Sequence, residues 1–269
     1  MKLSIIIVNY NTGLLTSSCL KKILSQNLPF AFEIIVIDNA SSDDSVSFLR
    51  SDFPDIDIIS NDKNLGLASG VNIGLKKAIG EYKLILNPDI IVLDKAIQTL
   101  VEYMDKNTEV GMTGGKLLSP NGKLQYSCYR FYKPTTILYR RTWLGNTKKG
   151  KSAVNHFLMK DYDHKNATEV DWLMGACLMV RSKALDDVDG MDDHFFLYFE
   201  DVDWCRRFWE ANWSVVYVPT AKFSHYHQRS SEGGGFWGII SNWVVREHVK
   251  SAIKYFWKYR GKPWPRSKK

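Results

Sequence analysis

Four short constellations in this chain carry residue types that polar chemistry needs. Asn87-Pro88-Asp89 follows an apolar run, and Pro88 breaks a strand ladder so that its neighbours project beyond the sheet edge. A hard divalent cation wants oxygen ligands and keeps waters or substrate phosphates, so Asp89 can anchor Mg²⁺ or Mn²⁺ against a diphosphate; a plain turn is the alternative. Glu200-Asp201-Val202-Asp203 gathers three carboxylates at the start of a helix. There Asp201 can serve as general base if a cleft brings a hydroxyl to it, although acidic residues in a first turn also complement the helix dipole. Asp38 closes a β-branched run, where it can accept hydrogen bonds from a nucleobase or ribose or cap the next helix. His225 and His227 alternate on an extended segment, so only one of them faces a site.

Equally informative are two missing patterns. The first apolar run ends in Asn9-Tyr10-Asn11-Thr12-Gly13 without Gly-x-Gly-x-x-Gly, and no Gly-x-x-x-x-Gly-Lys-Ser/Thr occurs anywhere. A dinucleotide oxidoreductase and a P-loop NTPase are therefore disfavoured.

The elements that would position these residues alternate in type. Short β-branched runs at 3–8, 33–37, 56–60 and 82–86 read as strands, with helices at 14–25, 43–51 and 67–79 between them. This pattern predicts an α/β fold with a mostly parallel sheet flanked by helices. Ligands of such sheets bind beyond the carboxyl ends of the strands, which is where Asn9, Asp38, Asn64, Asn87 and Asp89 fall. Residues 119–169, rich in Tyr, Arg and Lys, read as an irregular insertion. A buried strand over 170–181, a helix from about 200, a strand over 214–218 and a glycine-rich loop over 230–235 follow. The expected division is a nucleotide-binding half (1–118), an acceptor and catalytic half (119–235) and a C-terminal basic amphipathic helix and tail (236–269).

Composition narrows the class. With 45% hydrophobic and 24% charged residues in 269, the chain can bury a full core. Four scattered cysteines without a Cys-x-x-Cys pair indicate neither a disulfide scaffold nor a cysteine zinc site, which fits a reducing cytoplasm. No run of about 18 apolar residues and no cleavage-site pattern occurs, so secretion and membrane spanning are not expected. The net charge of +7 is uneven: nine Lys or Arg and one Glu lie from Arg246 onward, leaving the body near neutral. Arg246, Lys250, Lys254 and Lys258 form one helical stripe, opposite Val245, Val249, Ala252, Phe256 and Tyr259. Such a helix either packs on the body with its lysines in water or lies on an anionic membrane surface; a single stripe is weak evidence for nucleic acid.

Taken together, the order and spacing of these segments resemble the family 2 glycosyltransferases of the nucleotide-diphospho-sugar-binding GT-A fold, in particular the bacterial rhamnosyltransferase-like branch. The resemblance covers 3 to about 227. It rests on Ile5-Ile6-Ile7-Val8-Asn9-Tyr10-Asn11, Val36-Ile37-Asp38-Asn39-Ala40-Ser41-Ser42-Asp43 and Asn64-Leu65-Gly66 through Gly74. Leu86-Asn87-Pro88-Asp89, Gly175-Ala176 through Trp204 and Pro219-x-Ala221-x-x-x-His225 complete it. What the resemblance implies is a metal-assisted inverting enzyme that moves a sugar from a nucleotide-diphospho-sugar, dTDP-rhamnose first and UDP-sugars next, to a saccharide acceptor. The acceptor would be lipid-linked, at the inner face of the membrane, in cell-wall or surface polysaccharide synthesis.

Residue by residue, the resemblance assigns donor binding to Val8, Asn9, Tyr10, Asp38, Asn64, Gly66, Asn72, Asn87 and Asp89. It assigns the acceptor side to Trp172, Gly175, Ala176 and Glu200, the catalytic base to Asp201, and Mg²⁺ or Mn²⁺ principally to Asp89, with His225, which outranks His227 by its spacing from Pro219, either a second ligand or a hydrogen-bond partner of the diphosphate. Met174 reads as core. The family's metal motif is commonly Asp-x-Asp, so Asn87-Pro88-Asp89 implies fewer charges and weaker metal binding. The 126–143 segment, with Arg130, Arg140 and Arg141, matches no pattern and is expected to select the acceptor, and Gly233 to Gly235 beside Phe236 form a lid or a connector. Two rivals remain: a non-catalytic nucleotide-sugar- or nucleic-acid-binding protein, and a sugar nucleotidyltransferase, whose glycine-rich basic loop is missing after the first strand. The expected geometry is that Asp38, Asp89 and Asp201 meet around one crevice.

Overall fold

The structure, a computed structural model, describes residues 1–226 and 243–265. The expected positions of His227, of the 230–235 loop with Phe236, and of the boundary between 235 and 236 lie outside the described residues, as do 266–269 and the Arg141 side chain. The first half alternates as expected. Strands β1 (Leu3–Asn9), β2 (Phe32–Asp38), β3 (Asp57–Ser60) and β4 (Tyr82–Leu86) are joined by helices α1 (Gly13–Leu24), α2 (Ser45–Asp52) and α3 (Leu67–Lys77). Continuous β-branched runs suit strands covered on both faces, and β1 is buried along almost its whole length. The four pair in parallel in the order β3-β2-β1-β4, with Asn9 level with Asp38.

Beyond β4 come β5 (Ile90–Val92), α4 (Ala96–Lys106) and β6 (Val110–Leu118). The segment expected to be irregular instead contains β7 (Leu124–Gln125), β8 (Cys128–Tyr129), α5 (Pro134–Arg141), α6 (Lys148–Phe157) and β9 (Thr168–Glu169). The predicted strand over 170–181 is broken into β10 (Trp172–Leu173) and β11 (Cys177–Arg181), followed by α7 (Ser182–Val188) and α8 (Glu200–Glu210). The last strand, β12 (Ser214–His225), runs past its predicted end at 218; its pairing with β6 shifts register between Val218 and Lys222, and Pro219, which has no N–H to give a ladder, sits in that interruption. Helix α9 (Trp243–Lys258) closes the described chain.

The central sheet is mixed, in the order β3-β2-β1-β4-β11-β6-β12-β5. The parallel part is β3 through β4 and the β6–β12 pair; β11 and β5 run antiparallel to their neighbours. Cys177 starts β11 level with Leu86 at the end of β4, so β11 enters the sheet from the carboxyl edge and must run the other way. That entry carries Gly175 and Ala176 to the edge where Asn87 and Asp89 emerge. Side chains alternate across the sheet. Leu84, Leu86 and Met179 pack with α1 and α4 on one face, whereas Ile85, Leu178, Val180 and Tyr217 pack with α8 and the insertion on the other.

Helix α9 lies on the body through Val245, Ala252 and Tyr255, with Tyr259 just beyond it. Its polar anchors correct the expectation of a four-residue solvated stripe. Lys258 sits 2.6 Å from both Asp192 and Asp203, and Lys254 donates to the His194 carbonyl at 2.7 Å. Asp203 is fully buried and also accepts from Tyr259 (2.8 Å) and Arg207 (2.8 Å), so the third acidic residue of α8 tethers the terminal helix.

Candidate active site

Asn9 and Asp38 end adjacent strands and lock together. The Asn9 amide donates to Asp38 Oδ1 at 2.7 Å and its oxygen accepts from Thr12 and Thr16. Ser41 donates to the same carboxylate from its hydroxyl (2.6 Å) and its backbone N–H (2.9 Å). Asp38 is only 2% exposed, so these donors settle a buried carboxylate. Tyr10, beside it, is 48% exposed and presents an open ring. Asn39, quoted above within its motif but given no role, connects this corner onward by donating to the Gly66 carbonyl and accepting from Asn61.

Gly66 has φ +82°, and a Cβ there would lie 2.6 Å from the Phe196 carbonyl oxygen, so the loop needs glycine twice over. Asn64 accepts from the Gly66 N–H. A Cβ on Gly70 would meet Val8, which fixes the approach of α3 to β1. Asn72, expected in the nucleotide pocket, is hydrogen-bonded to Met191: its amide donates to the Met191 carbonyl (2.7 Å) and its oxygen accepts from the Met191 N–H (2.8 Å). It thereby staples α3 to the loop leading into α8.

A cavity of about 900 Å³ opens at the carboxyl edge of the sheet. Asn87, Asp89 and His225 line it together with Trp172, Gly175, Ala176, Glu200 and Asp201. Asp38, Asn9 and Tyr10 are not among its lining residues, so two of the three carboxylates expected around one crevice share this one, and Asp38 sits in the neighbouring corner.

Backbone bonds hold the two acidic groups in register. The Gly175 N–H donates to Asp201 Oδ2 at 2.9 Å, and the Asn87 N–H donates to the Ala176 carbonyl at 3.0 Å. The break between β10 and β11, absent from the sequence reading, is what frees Gly175 for this contact. Asp201 Oδ1 also accepts from the Val202 N–H (2.8 Å) at the start of α8. Two left-handed residues, Tyr198 (φ 67°) and Phe199 (φ 70°), turn the chain sharply just before the helix and so aim Glu200 and Asp201 inward. Burial pushes the Asp201 carboxyl up to about 6 despite its backbone donors. Burial, followed by the adjacent Asp201 charge, pushes Glu200 well above the carboxylate range. Burial thus drives Glu200 toward its protonated form, and Glu200 Oε2 is buried with no hydrogen-bond partner among the described residues.

Asp89 Oδ2 faces His225 Nε2 at 3.3 Å. Gln125 fixes the ring: its amide donates to the His225 carbonyl, and its oxygen lies 2.9 Å from Nδ1, which places a proton on Nδ1 and turns Nε2 toward Asp89. Asp89 Oδ1 is buried and accepts no hydrogen bond among the described residues. A carboxylate with an unused oxygen beside an imidazole nitrogen is a donor set that fits Mn²⁺ or Mg²⁺, with phosphate and water for its other ligands. Gln125 is the supporting residue that sequence reading missed, because its approach depends on the two-residue strand β7.

Trp172 is 6% exposed; one face stacks on Tyr129 at 4.2 Å and its N–H donates to the Arg130 carbonyl. The insertion adds Arg140, Lys151 and Lys160 to the cavity wall, and α9 adds His248, stacked on Tyr198 at 4.5 Å.

Comparisons with known proteins point one way. Residues 4–206 match the family model described as glycosyl transferase family 2. The N-acetylglucosaminyl-diphospho-decaprenol L-rhamnosyltransferase of Mycobacterium tuberculosis is 24% identical over 226 residues, 74% of this chain and 67% of that protein. The rhamnosyltransferase WbbL of Escherichia coli is 27% identical over 67% of this chain and 63% of its own. Among solved structures, the mannosyltransferase PcManGT of Pyrobaculum calidifontis in complex with GDP-Man and Mn²⁺ superposes with a TM-score of 0.62 at 18% identity, over 98% of this chain and 66% of that one. The chain thus spans about two thirds of the length of these relatives. The fold likeness agrees with the α/β class read from the sequence.

Proposed function

The chain belongs to glycosyl transferase family 2, and from that premise we propose that it moves a sugar from a nucleotide diphosphate to a hydroxyl of a lipid-linked saccharide, with inversion at the anomeric carbon. The observation that carries this reading is the single cavity in which Asp201 and the Asp89–His225 pair are held in register through Gly175, Ala176 and Asn87. Asp201, ionised and lined up by two N–H donors, takes the proton of the acceptor hydroxyl. The freed oxygen pair bonds to the anomeric carbon while the bond from that carbon to the donor's phosphate oxygen breaks, and the nucleoside diphosphate leaves with those electrons. Asp89 and His225 would hold the cation, which when bound supplies positive charge against the departing diphosphate. Tyr10 and the Asn9–Asp38 corner offer the nucleobase a ring face and a buried acceptor group. Glu200, driven toward its protonated form by burial, would donate to a sugar hydroxyl beside the base.

The names of the relatives support rhamnose as the first sugar to test, offered as dTDP-rhamnose, and UDP-sugars come next. On the acceptor side, Arg140, Lys151 and Lys160 bring positive charge to the same cavity, and neither lysine makes an ion pair among the described residues. Such a wall suits an acceptor that carries phosphate, as a lipid-diphosphate-linked sugar does. The work would take place at the cytoplasmic face of a membrane.

The test is release of nucleoside diphosphate by the purified chain, with Mn²⁺ or Mg²⁺, from dTDP-rhamnose and a panel of UDP- and GDP-sugars. Release that depends on both donor and cation, and that Asp89→Asn abolishes, is the expected result. Binding of donor without any turnover, with or without lipid-linked acceptors, would favour the non-catalytic binding protein instead.

A further inference from the structure

Helix α9 is pinned to the body on one side. Ser251 donates to the Leu197 carbonyl, Lys254 to that of His194, and Lys258 and Tyr259 reach buried Asp203. The helix cannot roll about its axis to hide its other side, where Lys250, Ile253 and Trp257 follow at intervals of three and four residues, continuing a line from Trp243, with Arg260 in the turn just beyond. Trp257 is 73% exposed, Ile253 65% and Trp243 53%. Single exposed apolar residues are ordinary; two tryptophans and an isoleucine aligned on one rigid helix and interleaved with cations are not. The described part of the helix holds one acidic residue, Glu247, already 2.6 Å from Lys250.

We propose that this outward face of α9 is a docking surface for an anionic lipid bilayer, with Trp243, Ile253 and Trp257 entering the headgroup region and Lys250, Arg260 and Lys262 contacting lipid phosphates. Indole rings favour that depth, and each Lys or Arg near such a surface adds attraction. A second copy of the chain fits poorly, since its matching face would bring the same cations into opposition. The stripe differs from the one read from the sequence, because Lys254 and Lys258 are taken by the body. It also has a consequence for access: His248, on the same helix, lines the cavity, so a bilayer under α9 would bring lipid-borne acceptors to the cavity mouth. That purpose rests on the proposed acceptor, but the surface can be tested without donor or acceptor.

The experiment is co-sedimentation of the full chain with phosphatidylcholine vesicles containing about 30% phosphatidylglycerol, and with pure phosphatidylcholine vesicles. Wild type should sediment with the anionic vesicles and release in high salt. The Ile253→Ser, Trp257→Ala double variant should partition about tenfold less while its unfolding transition is unchanged. A control that likewise leaves the charge unchanged and removes exposed apolar side chains elsewhere, Leu24→Ser with Ile79→Ala, should bind like wild type. Absence of wild-type binding at low salt would overturn the proposal, as would an equal loss in variant and control. Concentration-dependent dimers abolished by Trp257→Ala, without vesicle binding, would assign the face to self-association instead.

Discussion

Replacing Asp201 by Asn should cost activity and at the same time remove a pH-dependent penalty on the stability of the fold. In the proposed role of general base the carboxylate would contribute about 10²–10⁴ in rate, so the variant should lose that factor, or about 3–5 kcal/mol of transition-state stabilisation. Burial raises the carboxyl from 3.8 to about 6, so in wild type the ionised fraction falls from about nine-tenths near pH 7 to about one-tenth near pH 5. The rate should follow with an acid limb centred near 6 that Asp201→Asn lacks. Stability has the reverse sign. A carboxyl that binds its proton more tightly when folded contributes most below 3.8, and that contribution is lost as the pH rises through about 6. The rise corresponds to about 3 kcal/mol in all, of which about 2 kcal/mol falls between about pH 4.5 and about pH 7.5. Asparagine has one accepting oxygen for the two N–H groups of Gly175 and Val202, which sets back the variant by about 1–3 kcal/mol at every pH. The pH-dependent part survives that offset: urea unfolding at the two pH values should show the variant gaining on wild type by about 2 kcal/mol at the higher pH. A wild-type acid limb retained in the variant, or a stability difference that is flat with pH, would refute the assignment of charge to this carboxylate.

Other substitutions probe the surrounding architecture. Gln125→Ala removes the acceptor that fixes the His225 tautomer, so the Mn²⁺ concentration for half-maximal donor turnover should rise about 10–100-fold; an unchanged cation titration would separate His225 from the metal. Gly66→Ala forces a side chain into the left-handed region and against the Phe196 carbonyl, and should cost about 1–3 kcal/mol in urea unfolding, whereas a wild-type midpoint would show that the loop can move. Lys151→Ala with Lys160→Ala should raise KM about tenfold for a diphosphate-linked acceptor while leaving donor hydrolysis unchanged, and an equal effect on a phosphate-free acceptor would remove the phosphate from the argument.

The first half of the chain was legible because its signals are local. Continuous β-branched runs, each ending in a polar residue, state both the parallel strands and the edge at which Asn9, Asp38 and Asn87 emerge. The insertion was not legible in the same way. Helix α5 begins at Pro134, a position where proline suits a helix, but mean polarity masks its apolar side; α6 opens on Lys148, Lys149 and Lys151, the charge that the helix dipole disfavours there. Residues 170–181 look like one strand because Leu173 through Val180 are nearly all apolar, and only Gly175 hints at the break that the Asp201 carboxylate requires. The roles of Asn72, Gln125, Asp203 and Lys258 each depend on a partner more than 50 residues away, which no periodicity encodes.

The central claim is that Asp89 and His225, not another acidic cluster, place a cation beside the base Asp201. Asp192, Asp193 and His194 offer a competing set of three ligand atoms on the surface. Crystals soaked with Mn²⁺ and a nucleoside diphosphate, measured for anomalous scattering, decide between them. A manganese peak at coordination distance from Asp89 and His225 Nε2, with the diphosphate against it and Asp201 across the cavity, is the predicted map. A peak at the 192–194 cluster alone, with the nucleotide far from Asp89, would contradict it.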